Sequence, residues 1–355
     1  MQTAGQTAYA EEVELTARRI FDLISPELRL VEEEFERQAR SNIQVIAYIG
    51  DYLRRSGGKR VRPALTILSN YAVGGDGSNY SSIRMATVME FLHTATLVHD
   101  DVIDKAETRR NRPSINSEFG NQTAVLMGDW LYMSAFETSL AERSLPILDI
   151  LTAVTRKMTE GELLQLTLLG RTDVSEEQYF DVIARKTAYL FSACCEIGAL
   201  LGGANLETQT MLRDYGMNLG VAFQLVDDLL DFTGCEDVLG KPAGADLIEG
   251  KISLPLIFLL QREPEMRLAI QTVINDADYE RVSRGQLLEA LERTGALGLA
   301  FERATEYASA ALSALGGLTT QLTHRYCLHF PLTLLSAIVK ALRVPIAIGI
   351  FTVYV

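Results

Sequence analysis

Two aspartate clusters of one spacing, Asp100-Asp101-Val102-Ile103-Asp104 and Asp227-Asp228-Leu229-Leu230-Asp231, interrupt apolar stretches that otherwise read as buried helix. The first follows Phe91-Leu92-His93-Thr94-Ala95-Thr96-Leu97-Val98-His99, and the second lies between Val221-Ala222-Phe223-Gln224-Leu225-Val226 and Phe232. Residues four apart share a helix face, so Asp100 stands beside Asp104 and Asp227 beside Asp231. Ionised carboxylates taken out of water without compensation cost on the order of several kcal/mol each, so both helices require hard cations or dense basic partners. Magnesium meets that need: it prefers oxygen ligands, keeps several waters, and is commonly held by one or two carboxylates plus substrate phosphates. The implied ligand is a diphosphate. A single Asp-rich run also reads as a solvated acidic face; two with identical spacing inside apolar helix argue against it.

Basic residues complement the aspartates in four places. Gly57-Gly58-Lys59-Arg60-Val61-Arg62-Pro63 is a glycine turn leading into three cations, with a proline suited to a first helical turn. Backbone amides and cations together form an anion site there. Arg109-Arg110 follows the first cluster, and the arginine fork matches phosphate oxygens bidentately. Lys186, beside Thr187, sits in a mostly apolar helical stretch, and Lys241 and Lys251 follow the second cluster. For each lone lysine, a side chain snorkelling at the surface is the competing reading. His93 precedes Asp100 by seven residues, two helical turns, and so shares its side; His99 lacks that alignment and is expected to be structural.

The 355 residues, 48% of them hydrophobic, suffice for a packed core. An excess of 46 acidic over 33 basic residues argues against a nucleic-acid surface. From Glu11 to about Leu315 apolar residues recur at three- and four-residue intervals, as in Ile20, Leu23 and Ile24, which predicts an all-α single-domain bundle. Turns are expected at Ser56-Gly57-Gly58, Gly74 to Gly77, Gly170 to Asp173 and Gly240 to Gly244. No strand alternation or Rossmann-type glycine fingerprint is present. Ser175 with Gln178 fits a helix start. Cys194, Cys195, Cys235 and Cys327 lack metal-type spacing and read as buried thiols. Residues 1–10 are polar, without a signal-peptide pattern, and suggest a cytoplasmic chain.

Together these residues resemble the trans-type polyprenyl diphosphate synthases, through Gly57 to Pro63, Leu92-His93, Asp100 to Asp104 with Arg109-Arg110, Lys186-Thr187, Phe223-Gln224 with Asp227 to Asp231, and Gly250-Lys251-Ile252-Ser253-Leu254-Pro255. The resemblance implies a helical bundle around a central cavity, with Asp100, Asp101, Asp104, Asp227, Asp228 and Asp231 holding three magnesium ions at its mouth. It implies an allylic diphosphate on Arg109, Lys241 and Lys251, and isopentenyl diphosphate on Lys59, Arg62 and His93 with Arg110; Arg60 belongs to the same basic segment and is expected to bind substrate with it. Lys186, Thr187 and Gln224 match positions near the reacting carbon. The implied reaction is ionisation of the allylic carbon–oxygen bond, attack by the isopentenyl double bond and loss of a proton, driven by positioning and charge stabilisation. A homodimer is expected. Ala95 and Thr96, one turn before Asp100, border the growing chain, and their small size predicts a product of thirty carbons or more, with a farnesyl or geranylgeranyl diphosphate synthase as the alternative. A terpene cyclase would need a differently spaced second motif, and a non-catalytic partner subunit would be expected to lack one cluster.

The expected synthase domain spans residues 11–315, with the resemblance covering roughly Phe21 to Leu315, and residues 316–355 depart from it. Tyr326 to Val339 and Val344 to Val355 are uncharged and mostly apolar, separated by Lys340 to Arg343, and each is shorter than the roughly 18 residues of a membrane span. The tail reads either as a peripheral membrane contact or as a shifted reading frame.

Overall fold

A computed structural model describes residues 21–55, 60–109, 112–233 and 244–322. The chain is all-α, as its periodicity predicts. Its order is α1 (Ser25–Gln38), α2 (Gln44–Arg55), α3 (Val61–Ala72), α4 (Tyr80–Ile103), β1 (Thr108–Arg109), β2 (Arg112–Pro113), α5 (Ile115–Phe119), α6 (Asn121–Leu140), α7 (Leu145–Leu168) and α8 (Glu176–Ile183). A π turn (Ala184–Ala188) joins α8 to α9 (Tyr189–Leu201). Then come α10 (Leu206–Thr233), α11 (Ala245–Ile248), α12 (Leu254–Arg262), a 3-10 turn (Pro264–Met266), α13 (Arg267–Asp276), α14 (Arg284–Arg293) and α15 (Ala296–Leu322).

Helix starts follow local chemistry. The Asn79 side chain accepts from the Ser82 amide ahead of α4, Ser144 caps α7, and Ser175 and Gln178 complete a capping box on α8. The expected turns at Gly74 to Gly77 and at Gly170 to Asp173 separate α3 from α4 and α7 from α8. The other two expected turns fall wholly or largely outside the described residues. One strand pair went unread: β1 and β2 pair antiparallel, with Thr108 opposite Pro113 and Arg109 opposite Arg112. Helix α15 also passes the expected boundary at Leu315 and continues to Leu322; the rest of the tail, and residues 1–20, lie outside the described residues. Among the described residues no helix is long and apolar enough to cross a membrane.

Buried side chains form two apolar clusters. The larger holds Leu65, Leu68, Met85, Phe91, Leu92, Leu131, Phe191 and Tyr215, from α3, α4, α6, α9 and α10. The other gathers Leu225, Leu229, Phe232, Leu254, Leu259, Leu291 and Ala300. Helix α10 threads both, with Leu212, Tyr215 and Leu219 in the first and Leu225, Leu229 and Phe232 in the second. It lies against α9 and α15, while α4 lies against α3 and α6. Each aspartate cluster therefore rides at the C-terminal end of a helix fixed by apolar packing.

Candidate active site

Asp100, Asp101 and Asp104 end α4, and Asp227, Asp228 and Asp231 lie in the last two turns of α10. The first cluster is already met by cations. Arg109 donates through Nε to Asp101 Oδ1 at 2.7 Å, and Lys251 Nζ reaches Asp104 Oδ2 at 3.1 Å and Glu249 at 2.6 Å. The second contact is decisive for the site, because it joins the end of α4 to the segment after α11, bringing the two halves of the sequence pattern together. Burial pushes the Asp100 carboxyl up to about 7, with Lys186 pulling it down and Glu162 and Asp104 pushing it further up. Asp101 is also raised by burial, against the pull of Arg109. Burial pushes the Lys251 ammonium toward losing its proton, but the carboxylates of Asp104 and Glu249 more than offset this, so that lysine stays firmly charged.

The second cluster is organised by hydrogen bonds. The Thr187 hydroxyl donates to Gln224 Oε1 at 2.7 Å, which leaves the Gln224 amide nitrogen facing Asp228 Oδ1 at 2.9 Å and Asp227 at 3.5 Å. The Tyr179 hydroxyl donates to the other Asp228 oxygen at 2.6 Å. Burial again raises Asp228, to about 7, reinforced by the carboxylates of Asp246 and Asp227 and opposed by its two donors. Asp231 is 1% exposed.

The donor set consists of oxygens, and burial and mutual repulsion disfavour ionisation at Asp100 and Asp228, a state that a hard cation relieves. Among the described residues no three His, Cys, Asp or Glu side chains form a closed metal cage.

Lys186 bonds Glu162 at 2.7 Å, and Arg62 lies with its guanidinium over the Phe191 ring at 5.1 Å. His93 lies partly exposed on α4 on the Asp100 side, and the Thr96 hydroxyl donates to the His93 carbonyl at 2.7 Å. Ala95 is fully buried in the larger apolar cluster. His99 is placed structurally, its ring nitrogen 3.1 Å from the Val125 carbonyl. Arg60 departs from the expectation that it binds substrate. Its guanidinium is paired with Glu32 of α1 and Glu90 of α4, and its side chain is 10% exposed. With two carboxylates on one guanidinium, Arg60 holds the basic turn to the bundle instead of offering a free fork. Lys59, Arg110 and Lys241 lie outside the described residues, as do Cys235 and Cys327; Cys194 and Cys195 are buried free thiols.

Three residues were missed: Tyr179, Glu162 and Asp246. Glu162 carried a readable signal, a carboxylate within Gly161-Glu162-Leu163-Leu164, the same polar interruption that marks the aspartates. Asp246 lay in the glycine-rich segment between Lys241 and Lys251. Tyr179 had no signal beyond an aromatic residue on a helix.

The polyprenyl synthetase family profile matches residues 43–291. The octaprenyl diphosphate synthase of Escherichia coli is 38% identical over 302 residues, covering 85% of this chain and 93% of that protein. Component 2 of the heptaprenyl diphosphate synthase of Geobacillus stearothermophilus is 35% identical over 302 residues, covering 85% of this chain and 92% of its own. A crystal structure of a polyprenyl synthase from Caulobacter crescentus, complexed with calcium and isoprenyl diphosphate, superposes with a TM-score of 0.85 at 32% identity, covering 93% of this chain and 98% of that one. With Arg109 and Lys251 set against the first aspartate cluster and a second cluster of the same spacing on α10, the chain belongs to the polyprenyl synthetase family and is a divalent-metal-dependent trans-prenyltransferase of the medium- to long-chain kind.

Proposed function

We propose that this enzyme adds isopentenyl units to an allylic diphosphate until the product reaches thirty carbons or more, and that the residues named above divide the task as follows. Asp100, Asp101, Asp104, Asp227, Asp228 and Asp231 hold magnesium, three ions per site, which supplies Lewis-acid neutralisation of the leaving diphosphate. Arg109 and Lys251, with Lys241, take the allylic diphosphate. Arg62 and His93, with Lys59 and Arg110, take isopentenyl diphosphate. Lys186, Thr187 and Gln224 face the reacting carbon, where a hydroxyl and an amide dipole stabilise developing positive charge. The observation that carries this division is the Lys251 to Asp104 contact of 3.1 Å, which sets a cation from one half of the site against a carboxylate from the other.

The enzyme works as a homodimer in this reading. Leu126, Met133 and Leu140 recur every seven residues along α6 and are 67%, 62% and 47% exposed, an apolar stripe suited to a second copy. The Geobacillus relative, named as one component of its synthase, supports a second reading in which a different subunit is required.

Purified protein incubated with magnesium, isopentenyl diphosphate and farnesyl diphosphate, with products resolved by chromatography, separates the two. Chains of thirty carbons or more support self-sufficient elongation. No elongation by the protein alone overturns it in favour of a heteromeric enzyme.

A further inference from the structure

The segment that carries Lys186 and Thr187 is not α-helical. The Tyr189 amide bonds the Ala184 carbonyl, five residues back, so one extra residue is accommodated in the turn. This insertion shifts the register of the helix that follows. Upstream, Tyr179 and Ile183 pack in one apolar cluster; downstream, Leu190, Phe191 and Cys194 pack in the other.

A widened turn needs neighbours that fit it, and Glu160, Gly161 and Glu162 of α7 meet it residue by residue. Glu160 receives Arg185, which also donates to Asp181 at 2.7 Å. A Cβ added at Gly161 would lie 2.7 Å from the Arg185 Cβ, 3.1 Å from the Lys186 amide nitrogen and 3.2 Å from the Lys186 Cγ. Glu162 holds the Lys186 ammonium through both oxygens, at 2.7 and 2.9 Å. From the opposite side α10 approaches just as closely, since a Cβ at Gly220 would lie 2.5 Å from the Ala188 Cα.

We propose that Glu160-Gly161-Glu162 is a clasp that positions the π turn and aims Lys186 at the reacting end of the allylic substrate. The inference rests on the reading of Lys186 as a site residue given above. A lysine on a four-carbon stem has rotamer freedom to lose. Two of its three donors on Glu162 fix the stem and leave the third for substrate. Gly161 sets how close α7 comes, and Glu160 keeps the neighbouring Arg185 from competing for Glu162. These are positioning residues, acting through Lys186.

Steady-state kinetics of the full chain with magnesium, varying each substrate separately, tests the clasp. Gly161→Ala and Glu162→Gln should each lower kcat/KM for the allylic diphosphate on the order of tenfold to a hundredfold, the effect of misplacing a reacting group by about an ångström. The KM for isopentenyl diphosphate should not move, and Glu162→Asp should recover part of the loss. The double variant should be no worse than the weaker single one, because both act on one turn. Lys186→Ala separates the two failures. Wild-type kinetics in Lys186→Ala overturn its site role and the clasp with it; an impaired Lys186→Ala beside wild-type kinetics in Glu162→Gln overturns the clasp alone. Should Gly161→Ala not fold, Glu162→Gln decides, since it keeps the shape of a side chain that is only 20% exposed.

Discussion

At the scale of residues, the second cluster depends on one polar chain: Thr187 to Gln224 to Asp228, with Tyr179 closing the far side. Tyr179→Phe removes the donor to one Asp228 oxygen inside the protein. The expected result is a loss of about 1–3 kcal/mol in chemical denaturation, together with a lower kcat; unchanged stability would mean that oxygen has another donor. Ala95→Phe carries a different expectation, because it alters the wall beside the first cluster: chromatography should show shorter products, and wild-type lengths would remove Ala95 from the path of the chain. The aspartates were legible in the sequence because a carboxylate inside an apolar helix has few explanations. Their partners were not. Tyr179 meets a residue 49 positions away, Lys186 one 24 away, and Arg60 is claimed by Glu32 and Glu90, 28 and 30 positions to either side. Sequence adjacency groups Arg60 with Arg62, but only the fold says which of them is occupied by carboxylates.

Among elements, the short connection after α11 decides where Lys251 stands. Gly250 has φ +82°, its carbonyl accepts from the Gly170 amide at 2.9 Å, and the Lys251 amide bonds the Asp246 carbonyl at 2.8 Å. An added Cβ at Gly250 would lie 3.0 Å from the Gly170 nitrogen. Gly250→Ala should therefore cost about 1–3 kcal/mol through left-handed strain and should raise the KM for the allylic diphosphate by displacing Lys251. Denaturation midpoints and substrate titrations read the two effects separately, and an unmoved KM would detach this turn from the site. The helices themselves were legible from their period and their caps, Ser175 with Gln178 included. The π turn was not, because Ala184-Arg185-Lys186-Thr187-Ala188 carries no strongly apolar residue, so an inserted residue leaves the three- and four-residue rhythm visibly intact.

For the whole molecule, the all-α class followed from the period of the apolar residues, while the division into two apolar clusters threaded by α10 depends on contacts far apart in sequence. The apolar stripe on α6 gives an expectation at this scale. Replacing Leu126 and Met133 together by glutamate should yield a monomer by light scattering, and a dimer that persists would place the interface elsewhere. Metal and substrate binding are also linked through the whole site. Asp101 and Asp104 hold Arg109 and Lys251 directly, so the carboxylates proposed for metal and the cations proposed for diphosphate begin as each other's partners. Either ligand alone must break these pairs and leave one member of each without a counter-charge; both together exchange every pair for a new one. On the proposed division of roles, magnesium and diphosphate are expected to tighten one another by an equal factor. Titration calorimetry should find magnesium binding weak to the protein alone and markedly stronger with inorganic diphosphate present, while equal affinities would show the pairs impose no such coupling. On that reading, the Arg109–Asp101 and Lys251–Asp104 pairs make the empty site a poor host for metal alone and a good one for metal that arrives with a substrate.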